Sequence, residues 1–166
     1  MNFYKNFRND ESPIPIFVVS AGNNANKCED YTYRGDCNSL IDGLVDSYNA
    51  WRYPDTAEEI SEHVIIALAL EEDGKSLASY SNWGGQHKQY ALAAPVYPYG
   101  GTSSAAPVIS AAAAMVIQRF PKLDRKGVVD LLLETADDLG DPGVDAKYGH
   151  GRLNLSRALS PNSRLR

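Results

Sequence analysis

The stretch Gly100-Gly101-Thr102-Ser103-Ser104-Ala105-Ala106-Pro107, followed by an apolar run over 108–117, decides how this chain is read. Paired glycines permit a tight turn and a close approach of backbone. Ser103 then stands at the mouth of a helix, where N–H groups are still unpaired and the macrodipole is positive. A hydroxyl in that position can attack a carbonyl, and the N–H beside it can hold the oxyanion that forms. The small side chains behind it, Ala105, Ala106 and Ala111 to Ala114, let the helix pass close to a sheet. Taken alone, the same pattern also suits a serine that merely caps a core helix.

Working outward, residues 14–20 form a continuous apolar run rich in β-branched side chains. Such a run predicts a strand buried on both faces, as in a parallel sheet. It ends at Ala21-Gly22-Asn23, and open α/β sheets bind ligands beyond the carboxyl ends of their strands. Asn23 is therefore in the right place for chemistry. An asparagine that simply tolerates a turn is the alternative. Residues 64–70 read as the next buried strand, 72–75 as a turn, 77–81 as a segment pairing back, and 89–93 as a further short strand. The helix that opens near Ser103 runs to about Phe120, ahead of Pro121, with Pro107 early enough that its missing N–H costs little. Asp124 caps a second helix reaching about Ala136, and 155–159 forms a last turn. The fold class is α/β, with helices flanking a mostly parallel sheet.

The chain has 166 residues, 43% hydrophobic and 22% charged, with a formal net charge of -5. That is an ordinary balance for one globular domain. No run of Lys and Arg is present, which argues against nucleic acid or an anionic membrane as partner. Residues 1–12 are polar and charged, without the apolar segment of a signal peptide. The longest apolar stretch, 105–117, is interrupted by Pro107 and Ser110 and is shorter than the roughly 20 residues of a membrane span.

Five landmarks in order resemble the subtilisin-like serine peptidases, especially the autotransporter passengers exported by Gram-negative bacteria. Gly101-Thr102-Ser103-x-Ala105-x-Pro107 resembles their nucleophile motif. Val18-Val19-Ser20-Ala21-Gly22-Asn23 resembles the strand with its oxyanion asparagine. Ser79-x-Ser81-Asn82-x-Gly84 and Ala93-Ala94-Pro95 resemble two intervening turns. Asp141-Pro142-Gly143-Val144-Asp145, with Tyr148-Gly149-His150-Gly151-Arg152-Leu153-Asn154, resembles the closing segment. The likeness runs from about residue 15 to 159. It implies the back half of a three-layer subtilisin-like fold, 1–166 forming one partial domain. Residues 1–14 are then a poorly defined start, and 24–62 a long loop insertion able to wall a cleft.

The resemblance further implies acyl transfer on a peptide or protein substrate. Ser103 is the nucleophile, Asn23 an oxyanion donor, and Ser20, Ala21 and Gly22 line the primary specificity pocket. A secreted or cell-surface location goes with it. The family's Asp and His motifs precede the asparagine, yet only 22 residues stand before Asn23 here and neither motif is among them. None of His63, His87 and His150 has the family's setting for a base; Gly149-His150-Gly151 belongs to the closing segment and is expected to be structural. The expected partner is therefore a missing N-terminal half carrying Asp and His. Without it the chain is expected to be inactive, and poorly soluble through its exposed sheet edge. Two other readings stay open: a truncated inactive remnant, and a noncatalytic peptide-binding module.

Val96, Val108 and Ala111 depart from the family's usual residues and are expected to tighten packing. Cys28 and Cys37 lie nine apart in a polar loop. A disulfide there would add about 2–3 kcal/mol in an oxidising compartment; two free thiols are the alternative. No cofactor and no metal site is assigned. Calcium is left open by the acidic residues Glu29, Asp30, Asp36, Asp42 and Asp46, which lack the spacing of an EF-hand.

Overall fold

The computed structural model describes residues 14–28, 60–96 and 100–160. Residues 29–59 lie outside this set, and with them Cys37, the five acidic residues named for calcium, and most of the expected loop insertion. The same holds for residues 1–13.

Three strands, β1 (Phe17–Ser20), β2 (Val64–Leu70) and β3 (Ala91–Pro95), form a parallel sheet in the order β1-β2-β3. β2 has the predicted bounds and is buried at all seven positions. Its side chains alternate between two apolar layers. Ile65, Ala67 and Ala69 join the helices, while Val64, Ile66, Leu68 and Leu70 join a second cluster with Tyr148 and Ile60. A strand with apolar neighbours above and below has no polar face to show, hence the unbroken run.

β1 corrects an expectation. It is three residues shorter than predicted and half-buried throughout. Among the described residues, β2 lies on one side of it and no strand on the other. β3 begins two residues later than predicted, because Gly85–Tyr90 forms a 3₁₀ helix and the ladder starts at Ile66 opposite Ala91. The predicted pairing back of 77–81 reduces to one bridge, Leu70 opposite Leu77. Residues 150–153 cover the outer side of β3. There Ala93 N–H donates to Gly151 O at 2.8 Å, and Leu153 N–H donates to Ala93 O at 2.8 Å.

Helix α1 (Thr102–Arg119) lies over β1 and β2. It buries Ala105, Ile109, Ala112, Ala113 and Val116 against them. The small residues on this face allow close approach. Val96 is buried as expected of a packing residue, but Val108 and Ala111 are exposed. They sit on the opposite face of the helix and tighten nothing. Asp124 caps α2 (Arg125–Glu134), accepting from Gly127 N–H at 2.7 Å. Asn154 caps α3 (Leu155–Leu159), accepting from Arg157 N–H at 2.9 Å.

The closing segment is pinned by Asp137, which accepts from Arg152 at 2.7 Å, Asn154 at 2.7 Å and Arg157 at 3.2 Å. The bond from the Arg152 guanidinium, followed by that from Asn154, holds the Asp137 carboxyl below the usual carboxylate range. A depressed folded-state pKa means stability that is complete above the ordinary value of about 4 and is lost as pH falls through the folded value. Asp137→Asn is expected to cost about 1–2 kcal/mol at pH 7, since the site is partly solvated. In urea titrations, the gap to wild type should narrow steadily below about pH 4.

Candidate active site

The tip of β1 and the start of α1 meet through one side chain. Thr102 is fully buried. Its hydroxyl donates to Asn23 Oδ1 at 3.0 Å and accepts from Gly22 N–H at 3.1 Å. Its backbone N–H also donates to Asn23 Oδ1, at 2.9 Å. A backbone N–H can only donate, so the oxygen of Asn23 must face Thr102 and Nδ2 must point the other way. The amide nitrogen is left as a donor at the rim of the helix mouth.

Gly101 makes this meeting possible. Its φ of 63° and ψ of 177° fall in a region open essentially to glycine. A Cβ there would stand 3.0 Å from Asn23 Nδ2. The next turn is held by Ser104, whose hydroxyl donates to Gly100 O at 2.7 Å. Ser103 and Asn23 are both exposed. The Ser103 hydroxyl has no hydrogen-bond partner among the described residues. Its N–H belongs to the first turn of α1, where such groups lack helical acceptors.

The structure thus brings Ser103 and Asn23 together at one strand–helix junction. Ser20 and Gly22 are half-buried beside them, whereas Ala21 is fully buried in the second apolar cluster. Ala21 therefore offers backbone rather than its methyl to the surface. None of the three histidines bonds Ser103. His63 O accepts from Phe17 N–H at the far end of β1. His87 is buried in the 3₁₀ helix. His150 donates its backbone N–H to Ala91 O, and its Nε2 lies 3.1 Å from Gln89 O. It sits beyond β3, three strand spacings or roughly 14 Å across the sheet from β1. Its flanking glycines have a packing reason: a Cβ on Gly149 would collide with Ala91 O, and one on Gly151 with Asp137 O.

The family model of the subtilases matches residues 2–151. This chain belongs to the subtilase family. It is 37% identical over 121 residues to serotype-specific antigen 1 of Mannheimia haemolytica, covering 61% of this chain and 13% of that protein. It is 32% identical over 150 residues to the cell wall-associated protease of Bacillus subtilis, covering 69% and 16%. With subtilisin DY of Bacillus licheniformis it shares 30% over 125 residues, covering 70% and 43%. The match thus spans less than half the length of each of these relatives. Among solved structures, the patellamide maturation protease PatA superposes with a TM-score of 0.58 at 24% identity, covering 87% of this chain and 50% of that one. The epidermin leader peptide processing protease of Staphylococcus aureus gives 0.60 at 18%, covering 88% and 40%. These two show the fold.

Two residues of this subtilase carry more of the junction than their sequence context revealed. One is Thr102. The other is Asn82, which is fully buried. Asn82 Oδ1 accepts from Asn24 N–H and Asn26 N–H, each at 3.0 Å, and Nδ2 donates to Ala21 O at 2.9 Å. Its backbone N–H donates to Gly22 O at 2.9 Å. One side chain thereby fixes the loop that carries Asn23. Ser81 supports it, accepting from Ala69 N–H at 3.2 Å and donating to Asn82 O at 2.9 Å. The signal in the sequence was the Ser-x-Ser-Asn-x-Gly turn, whose partners lie almost 60 residues away.

Asn82→Ala strands two amides and a carbonyl and is expected to cost roughly 2–4 kcal/mol in chemical denaturation. Thr102→Val should cost about 1–2 kcal/mol through the orphaned Gly22 N–H, while Thr102→Ser, which keeps the hydroxyl, should recover most of that loss.

Proposed function

We propose that this chain is the nucleophile-bearing part of a secreted or cell-surface serine endopeptidase. Ser103 Oγ attacks the carbonyl carbon of a peptide bond. Asn23 Nδ2 and the Ser103 N–H stabilise the resulting oxyanion. A histidine takes the proton from Ser103 and returns it to the leaving amine, releasing one peptide; water then cleaves the acyl-enzyme and frees Ser103. Ser20, Ala21 and Gly22 form one wall of the specificity pocket. The observation that carries this reading is the orientation of Asn23, whose oxygen is held by Thr102 so that its nitrogen is turned away, beside Gly101 at the mouth of the helix that carries Ser103.

The histidine is supplied by a polypeptide outside these 166 residues. All three histidines of the chain fall among the described residues, and none reaches Ser103. In subtilisin, loss of the histidine costs about 10⁶ in kcat, so the chain alone is inert on this reading. On this reading Cys28 and Cys37 are paired, and a 2 Da mass increase of the peptide that holds both on reduction, about the mass of two hydrogens, tests that pairing.

A fluorophosphonate probe tests the mechanism. The chain alone should label no faster than Ser103→Ala. Once a histidine-bearing subtilase segment is supplied, labelling at Ser103 should rise by at least about 10³-fold. In that complemented form, Asn23→Ala should lower the rate of peptide cleavage about 10²–10³-fold, the loss measured for the corresponding donor in subtilisin. Strong labelling of Ser103 in the chain alone would contradict the need for a partner. A noncatalytic binding module would instead retain peptides uncut in both forms.

A further inference from the structure

We infer that the pair Ser81-Asn82 is a wedge that parts β1 from β2 at their carboxyl ends, and that Asn82 is thereby a positioning residue for Asn23. It acts through Asn23 and touches no reacting atom. Its effect on catalysis rests on the reading that Asn23 is the oxyanion donor.

The wedge shows in the ladder of the sheet. In a parallel pair, a residue donates to one carbonyl of the neighbouring strand and accepts from the amide two residues further along it. Ala21 N–H donates to Ala67 O at 3.0 Å. The next rung of the ladder would run from Ala69 N–H to Ala21 O. Instead, Ala69 N–H donates to Ser81 Oγ at 3.2 Å, and Ala21 O accepts from Asn82 Nδ2 at 2.9 Å. Ala69 O accepts from Ala78 N–H at 2.9 Å. Beyond Ser20, residues 78–82 thus take the place beside β2 that β1 held. Both ends of the split rung find partners in the interior, where Ala21, Ala69 and Asn82 are fully buried.

The parting fixes Asn23. The peptide on one side of it presents Gly22 O, which accepts from Asn82 N–H at 2.9 Å. The peptide on the other side presents Asn24 N–H, which donates to Asn82 Oδ1 at 3.0 Å. Both peptide planes that flank Asn23 are therefore tied to one residue, and between two fixed planes its φ and ψ are set. Thr102 is left to set only the side chain. A rung closed between Ala69 and Ala21 would draw the chain back along β2 and carry Asn23 away from the mouth of α1.

Among side chains of this size, only an amide suits position 82. It meets a carbonyl on one side and the amides of Asn24 and Asn26 on the other. An aspartate would turn an oxygen to Ala21 O, and an aliphatic residue would strand all three groups.

The test reads the junction at atoms that Asn82 does not touch. Thr102 N–H donates to Asn23 Oδ1, and Gly22 N–H to the Thr102 hydroxyl. In the full chain, Asn82→Ala should speed amide exchange at both by at least about tenfold. Ser81→Ala, a milder change that removes only the hold on Ala69, should speed both by at least about threefold. Asp137→Asn, which loosens the closing segment beyond β3, should leave both as in wild type when compared at equal stability in urea. With the histidine-bearing segment supplied, Asn82→Ala should lower kcat for peptide cleavage about 10²-fold, the scale of a 1 Å misplacement. In an Asn23→Ala background the same change should cost less than about threefold, because the residue it positions is gone. Unchanged exchange at Gly22 and Thr102 in both variants, or equal losses of kcat in the two backgrounds, would overturn the inference. Faster exchange in the variants with no cleavage by the complemented wild type would uphold the wedge and refute the catalytic reading.

Discussion

The junction between a strand tip and a helix mouth depends on one threonine hydroxyl. Thr102 lies in the interior and joins Gly22 N–H to Asn23 Oδ1, with its own N–H as a second tie to that oxygen. In so dry a place each bond matters more for what its loss exposes than for what it adds, because an orphaned amide carries its full desolvation cost. The tie also removes a rotational choice. An exposed asparagine samples several rotamers; one held by two donors at its oxygen presents its nitrogen in a fixed direction. That is the preorganisation an oxyanion donor requires, set before any substrate arrives.

Support for the junction comes from two directions. From above, the alanine face of α1 lets the helix lie close to β1 and β2, so its first turn arrives level with the strand's end. From the side, buried Asn82 grips the loop after β1 through Ala21, Asn24 and Asn26. Ser81 anchors Asn82 in turn to β2 through Ala69. The site therefore stands on β1, β2 and α1 together. A loop on one element alone would drift by more than the half-ångström tolerances such chemistry allows.

How much of this was legible in the sequence follows from the range of the interactions. β2 was read with its bounds because its signal is local: seven apolar residues ended by a turn. The cap at Asp124 is local too, acting three residues ahead. β1 was over-extended because its apolar character implies cover on both faces and at both edges, while burial depends on which elements are present beside it. β3 was misplaced by two residues because nothing in Gln89 or Tyr90 distinguishes a 3₁₀ turn from a strand start. Val108 and Ala111 were read as packing residues because composition does not say which side of a helix meets the sheet. The motifs pointed to Ser103 and Asn23, which one strand–helix junction carries, but Thr102 and Asn82 act on residues 56 to 80 positions away. No periodicity could register that.

The polarity of Asn23 bears on why this position is an asparagine. Thr102 asks only for an acceptor, and an aspartate would satisfy it equally. The difference lies on the other side of the group. An aspartate would turn a second oxygen toward Ser103, adding negative charge where negative charge develops on the substrate, and it would offer no donor unless protonated. An asparagine splits the two tasks between two atoms, the oxygen bound inward to the fold and the nitrogen left outward. With Gly101 keeping any Cβ out of the space beside that nitrogen, the fold sets the direction of the Asn23 amide through Thr102 and needs no further group to do so. On the proposed function, a site divided between two polypeptides is physically workable: the partner has only to bring a base, because the Asn23 oxygen is already held and its nitrogen already aimed outward.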